Sequence, residues 1–147
     1  MDSRPTPVAN QIEHFVTLLN HELEVEQVIL FGSHAYGWPH EWSDIDIAVI
    51  SPTFAGLGRV ARLEWLERVA WESKAHAVEP IGLTPQEYAE ASDLSLLGEV
   101  REKGVIVYDA AHPERTPAVA LRERRAEYRS ARGPEIEQPT SRTEEQP

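Results

Sequence analysis

Asp44 and Asp46 stand two residues apart at the head of an apolar run, Ile45 to Ile50 (IDIAVI). In a strand, alternate side chains leave the same face, so the two carboxylates would project together, about 7 Å apart along the backbone. Paired hard oxygens at that spacing can share or bridge divalent cations. A solvated strand end also carries acids, and the pair alone decides little. The neighbours sharpen the reading. Ile45 and Ile47 point the other way and the run continues wholly apolar, so one face must be buried while the acidic edge opens outward.

A second feature lies just upstream. Val25 to Phe31 (VEQVILF) reads as a strand that stops abruptly at Gly32, followed by Ser33 and a short helical turn. Glycine lets backbone approach a ligand closely, and the following amides with a hydroxyl can bind phosphate oxygens. An ordinary strand-to-helix turn has the same composition. Set beside a carboxylate pair on the adjacent strand, however, a phosphate-gripping turn is what phosphoryl or nucleotidyl transfer demands. Such chemistry commonly needs a third carboxylate. Glu79, in a short strand expected over Ala77 to Ile81 (AVEPI), is the best-placed candidate, with Glu72 and Glu41 next in line.

The elements that would position these groups follow from periodicity. Val8, Ile12, Phe15, Leu19 and Leu23 repeat at helical spacing over residues 8–23. A helix over residues 57–73 would present Val60, Leu63, Leu66 and Ala70 on one face. Thr84-Pro85-Gln86-Glu87 supplies a capping hydroxyl, an N-terminal proline and the glutamate of a capping box. Ser92 can cap a further helix with Leu94, Leu97 and Val100 inward, ending at Gly104, and Val105 to Tyr108 makes a last strand. The domain is thus expected over residues 1–109. Residues 110–147 form a tail, with a helix expected over 115–132 and a disordered Pro, Glu, Ser and Thr-rich end over 133–147.

Composition narrows the function. The 147 residues include no cysteine, which removes a disulfide scaffold, a thiolate metal site and a cysteine nucleophile. No apolar run approaches the roughly 18 residues that span a bilayer, and MDSRPTPVAN is not a signal peptide, so a cytoplasmic location is expected. The net charge of −11 resides wholly in residues 1–110, because the remainder is charge-balanced. So acidic a surface argues against long DNA or RNA, yet admits a nucleoside triphosphate arriving with magnesium. The six histidines form no ligand set: His14, His21, His40 and His76 read as surface groups, and His34 as a candidate phosphate contact. Trp65 and Trp71 read as helix packing, whereas Trp38 or Trp42 is placed to cover a nucleobase.

The pattern G-S-x-A-x-G, then five residues, then S-D-x-D, resembles the signature of the polymerase β-type nucleotidyltransferases, specifically the minimal, antitoxin-like branch. Gly32, Ser33, Ala35, Gly37, Ser43, Asp44 and Asp46 carry the match, which extends through Glu79-Pro80 and TPQEY over about residues 25–108. The resemblance implies an α+β fold, a mixed β-sheet flanked by helices, with Gly32, Ser33 and Ser43 binding the nucleotide. It implies that Asp44, Asp46 and Glu79 bind two Mg2+ ions and catalyse transfer of a nucleoside monophosphate, AMP from ATP, to a hydroxyl. Two departures stand out: His34 and Tyr36 replace basic residues, and Glu79 replaces an aspartate. By analogy, the short acidic chain suits the relatives that modify a HEPN-type helical toxin partner. A second copy of the chain is the other protein partner to consider. The alternatives are transfer to a small molecule of the aminoglycoside type, or a non-catalytic nucleotide-binding partner protein.

Overall fold

The computed structural model describes residues 7–36 and 43–123. Helix α1 (Val8–Glu22) leads into strand β1 (Gln27–Phe31), a single helical turn α2 (Ser33–Tyr36) and strand β2 (Ile45–Ile50). Helix α3 (Arg59–Glu72), strand β3 (Val78–Leu83), helices α4 (Pro85–Glu90) and α5 (Leu96–Lys103) and strand β4 (Val105–Asp109) follow. The four strands lie in the order β3-β2-β1-β4; β1 is antiparallel to β2 and β4, and β2 is parallel to β3. This is the mixed-sheet α+β architecture that the sequence implies.

The sheet separates two apolar layers, and β2 explains why. A central strand must bury both faces, and Ile45, Ile47, Ala48, Val49 and Ile50 are all buried. Ile45, Ile47 and Val49 join Val28, Leu30, Ile12, Phe15, Leu19, Leu66 and Val69 in the main core beneath α1 and α3. Ala48 and Ile50 face the other way, with Ile29, Phe31 and Val100, and are covered by Ile81, Leu83 and Tyr88. Asp46 is the one polar residue in the β2 run, and it stands on this second face, at its open end.

Two helix faces differ from the sequence reading for identifiable reasons. On α3 the buried residues are Leu66, Val69 and Ala70, while Val60 and Leu63 remain 67% and 41% exposed. Arg62 takes the inward position instead. Its guanidinium donates to the Leu57 and Gly82 carbonyls at 2.9 and 3.2 Å, pairs with both Glu87 oxygens at 2.6 and 3.1 Å, and lies over the Phe54 ring. A long side chain whose polar end is hydrogen-bonded can line a core beside apolar residues. On α5 the cap is Ser95, whose hydroxyl accepts from the Gly98 amide; Ser92 closes the preceding turn and Leu94 is 97% exposed. The capping box at Thr84 and Glu87 and the helix end at Gly104 stand as read. Strand limits shift by a few residues: β1 begins at Gln27 and β3 runs on to Leu83. Trp65 packs edge-on against Phe54 and donates to Glu22 at 2.8 Å, but Trp71 is 70% exposed and stacks on His76.

Packing continues past Asp109, the domain end expected from the sequence. Residues 117–123 are helical, and Ala120 and Leu121 are buried in the main core. The rest of the expected tail helix and the segment 133–147 lie outside the described residues, as do Gly37, Trp38, Pro39, His40, Glu41 and Trp42. Leu121→Ala should therefore lower unfolding stability by roughly 2–4 kcal/mol, measured by denaturant titration. An unchanged midpoint would mean that the core closes without this segment.

Candidate active site

β1 and β2 pair so that Phe31 lies opposite Asp46, which sets Gly32 beside the Asp46 side chain. Gly32 has a φ of +77°, the left-handed region that an L side chain rarely enters. A Cβ built there would overlap the Asp46 Oδ2 atom and lie 3.1 Å from its Cγ. Glycine is thus required twice, for the turn and for the space. The chain leaves the sheet at this point into α2, anchored by the Ala35 amide, which donates to the Gly32 carbonyl at 3.0 Å, and by the buried Ala35 methyl. Ser33 is the first residue of that turn.

On the other side of β2, parallel pairing places Glu79 opposite Asp46, with Val78 opposite Ile45. Residues opposite in register present side chains on one face, so Asp46 and Glu79 face the same way, and Asp44 follows by alternation. Asp44 and Glu79 are exposed and Asp46 is half-buried. Three of the sequence-selected acids are therefore brought to one end of one sheet face, beside Gly32. Ser43 immediately precedes Asp44, and its carbonyl accepts a hydrogen bond from His34 Nε2 at 3.2 Å. The fallback acid Glu72 is elsewhere, paired with Arg68 at 3.0 Å.

The Asp44 charge acts on both of the other acids. Burial, then the Asp44 charge, pushes the Asp46 carboxyl above its ordinary range, and His34 partly offsets this. Burial raises Glu79 as well, followed by the charges of Asp44, Glu67 and Asp46. Glu67, exposed on α3, is a further acid whose charge reaches Glu79 and which sequence reasoning missed. Its only sequence signal was a position on the helix leading into β3, which does not reveal which acids face the strand.

The donor set is all hard carboxylate oxygen, which suits a divalent cation whose remaining positions are filled by phosphate and water. Among the described residues no three His, Cys, Asp or Glu side chains are gathered around a single point fit for an ion. The arrangement is thus a line of acids across two strands, not a closed protein cage, and its mutual repulsion is what a cation would relieve. A glycine turn set against such a line of acids is the arrangement that phosphoryl or nucleotidyl transfer requires.

Comparison with known proteins gives the family. Residues 12–113 match the nucleotidyltransferase domain model, and the chain belongs to that family. Its reaction class is nucleotidyl transfer, which in this family generally uses a nucleoside triphosphate and a divalent metal. Among solved structures, a Sulfolobus solfataricus protein assigned as a nucleotidyltransferase is 17% identical, with a TM-score of 0.49 over 76% of this chain and 96% of that one. A toxin-antitoxin structure with AMP-PNP is 24% identical, with a TM-score of 0.49 over 84% of this chain and 89% of that one. A mutant of the toxin-antitoxin MntA-HpeT is 23% identical, with a TM-score of 0.48 over the same shares. These are partial likenesses, and the family rests on the domain match. No curated protein matches the chain. Among the described residues no helix is long and apolar enough to cross a membrane.

Two outcomes test this geometry. An acid whose native pKa is raised contributes stability while protonated and loses that contribution as pH rises through the native value. At neutral pH without metal, Asp46 is therefore a liability. Asp46→Asn should raise the melting temperature by a few degrees at pH 7 in chelator, and the gain should vanish as pH falls below the ordinary carboxylate range. A constant difference across pH would exclude the charge origin. Gly32→Ala, by contrast, must strain the turn and displace Asp46. It should cost about 1–3 kcal/mol in a denaturant titration and abolish transfer; wild-type stability with full activity would contradict the contact.

Proposed function

We propose that the protein is a magnesium-dependent nucleotidyltransferase that moves AMP from ATP to a hydroxyl on a partner protein. The observation that carries this reading is the alignment of Asp44, Asp46 and Glu79 across β2 and β3, next to a turn where only glycine fits. Gly32, Ser33 and Ser43 hold the nucleotide from the turn side. Asp44 and Asp46 are the principal ligands of the two Mg2+ ions, with Glu79 as the third acid. Bound there, magnesium would neutralise the triphosphate and the departing pyrophosphate and ease deprotonation of the attacking hydroxyl.

In the transfer itself, the acceptor oxygen bonds to the α-phosphorus while the bond from that phosphorus to the pyrophosphate oxygen breaks. The hydroxyl proton passes to a base, and Glu79 fits that role as the carboxylate on the neighbouring strand, opposite Asp46 in register. Glu79 is exposed on an edge strand, so a hydroxyl carried on a large molecule can reach it. This supports a protein acceptor over an enclosed small molecule, and the resemblance to the antitoxin-like branch points to a HEPN-type helical partner. On such an acceptor the product would be an added mass of about 329 Da, that of the AMP group.

Calorimetry decides the metal assignment. Wild type should bind ATP much more tightly with Mg2+ than without, and Asp44→Asn should lose most of that difference, roughly 10–100-fold in affinity. Glu79→Gln should bind Mg-ATP nearly as well as wild type but release pyrophosphate more slowly in a single turnover. Equal, metal-dependent affinity in Asp44→Asn would remove Asp44 as a ligand.

A further inference from the structure

We propose that His34 is a positioning residue for Asp44: its imidazole holds the Ser43 carbonyl and thereby sets the direction from which the Asp44 carboxylate enters the site. The proposal rests on the functional reading above and adds to it a residue whose ring acts through the backbone rather than on phosphate.

The argument begins with the acceptor. A carbonyl oxygen can only accept, so the 3.2 Å contact requires a proton on Nε2. The peptide group linking Ser43 to Asp44 is planar, and holding its oxygen fixes the opposed Asp44 N–H and the plane from which Asp44 departs. One residue later, the Ile45 amide donates to the Ala77 carbonyl at 2.8 Å, and Ile45 itself is buried. Asp44 is therefore bracketed by a held group on each side, although its own side chain is exposed.

His34 is well placed to serve as the upstream bracket. It sits on α2 between Ser33 and the buried Ala35, and Ala35 ties that turn to the core and to Gly32. The bond thus links the phosphate-side turn directly to the head of the acid strand. This link adds a second tie between the two halves of the site to the Gly32–Asp46 contact. The ring's influence on the Asp46 carboxyl agrees with its lying beside the acids.

The test compares His34→Ala with His34→Gln, whose side-chain amide can donate to the same carbonyl. Without nucleotide, hydrogen exchange at the amides of residues 43–46 should accelerate in His34→Ala and stay near wild type in His34→Gln. Calorimetry should show Mg2+-dependent ATP affinity about tenfold weaker in His34→Ala, as for loss of an outer-sphere support. ATP binding without metal should be unchanged, and His34→Gln should recover most of the loss. In the wild type, histidine nitrogen NMR should show Nε2 protonated. An unprotonated Nε2, or unchanged exchange in His34→Ala, would overturn the proposal. So would a glutamine variant with normal exchange but the full affinity loss, which would mean that the ring touches the nucleotide itself. If wild type binds no Mg-ATP, the functional reading fails, while exchange and NMR still decide the role of His34.

Discussion

The close contact between Gly32 and the Asp46 carboxylate is the constraint on which the rest of the site depends. β1 can end in a left-handed turn against β2 only because no side chain intervenes there. That contact fixes how far the Gly32-Ser33 turn lies from the acids, and strand pairing then carries the spacing across to Glu79. Each link is set by backbone: a turn, an antiparallel register and a parallel register. The flanking helices bury the apolar faces that hold those registers, which is why the core and the site cannot be described separately.

A line of like charges is costly, and among the described residues no salt bridge neutralises it. Arg62, Arg68, Arg101 and Arg115 are each engaged by other acids, namely Glu87, Glu22 with Glu72, Asp93 and Glu123. These pairs tie helix to helix and helix to loop. Among the described residues, electrostatic relief near the acids comes from His34 acting on Asp46. The folded chain therefore carries a charge deficit where its chemistry would occur, and stability yields to function at that point. Cations from solution are the natural complement.

Much of this was legible before the structure. The strand IDIAVI, the acids on its outward face, the stop at Gly32 and the capping box at Thr84 rest on local patterns, and local patterns survive folding. What failed depended on non-local partners. Nothing in residues 57–73 says that Arg62 would turn inward, because three of its four hydrogen bonds go to Gly82 and Glu87, far along the chain. Ser92 and Ser95 both suit a cap, and only the packing of Val100 fixes the helix phase. Glu67 and the His34 bond were hidden for the same reason. The overlap of a Gly32 Cβ with Asp46 was hidden too; the sequence calls for a glycine there but cannot say which side chain fills the space.

The strand order also has a temporal side. β1 finds β2 soon after it is made, but its other edge stays unpaired until β4 appears, and Gln27 meets Asp109 across a separation of 82 residues. Ala120 and Leu121 join the core later still. On a ribosome, every residue of the acid line would be synthesised while the central strand still offered a bare hydrogen-bonding edge to its surroundings. Partial chains would thus hold the ingredients of the site without the scaffold that aligns them, and would be exposed to wrong pairings for as long as translation takes to reach the last strand.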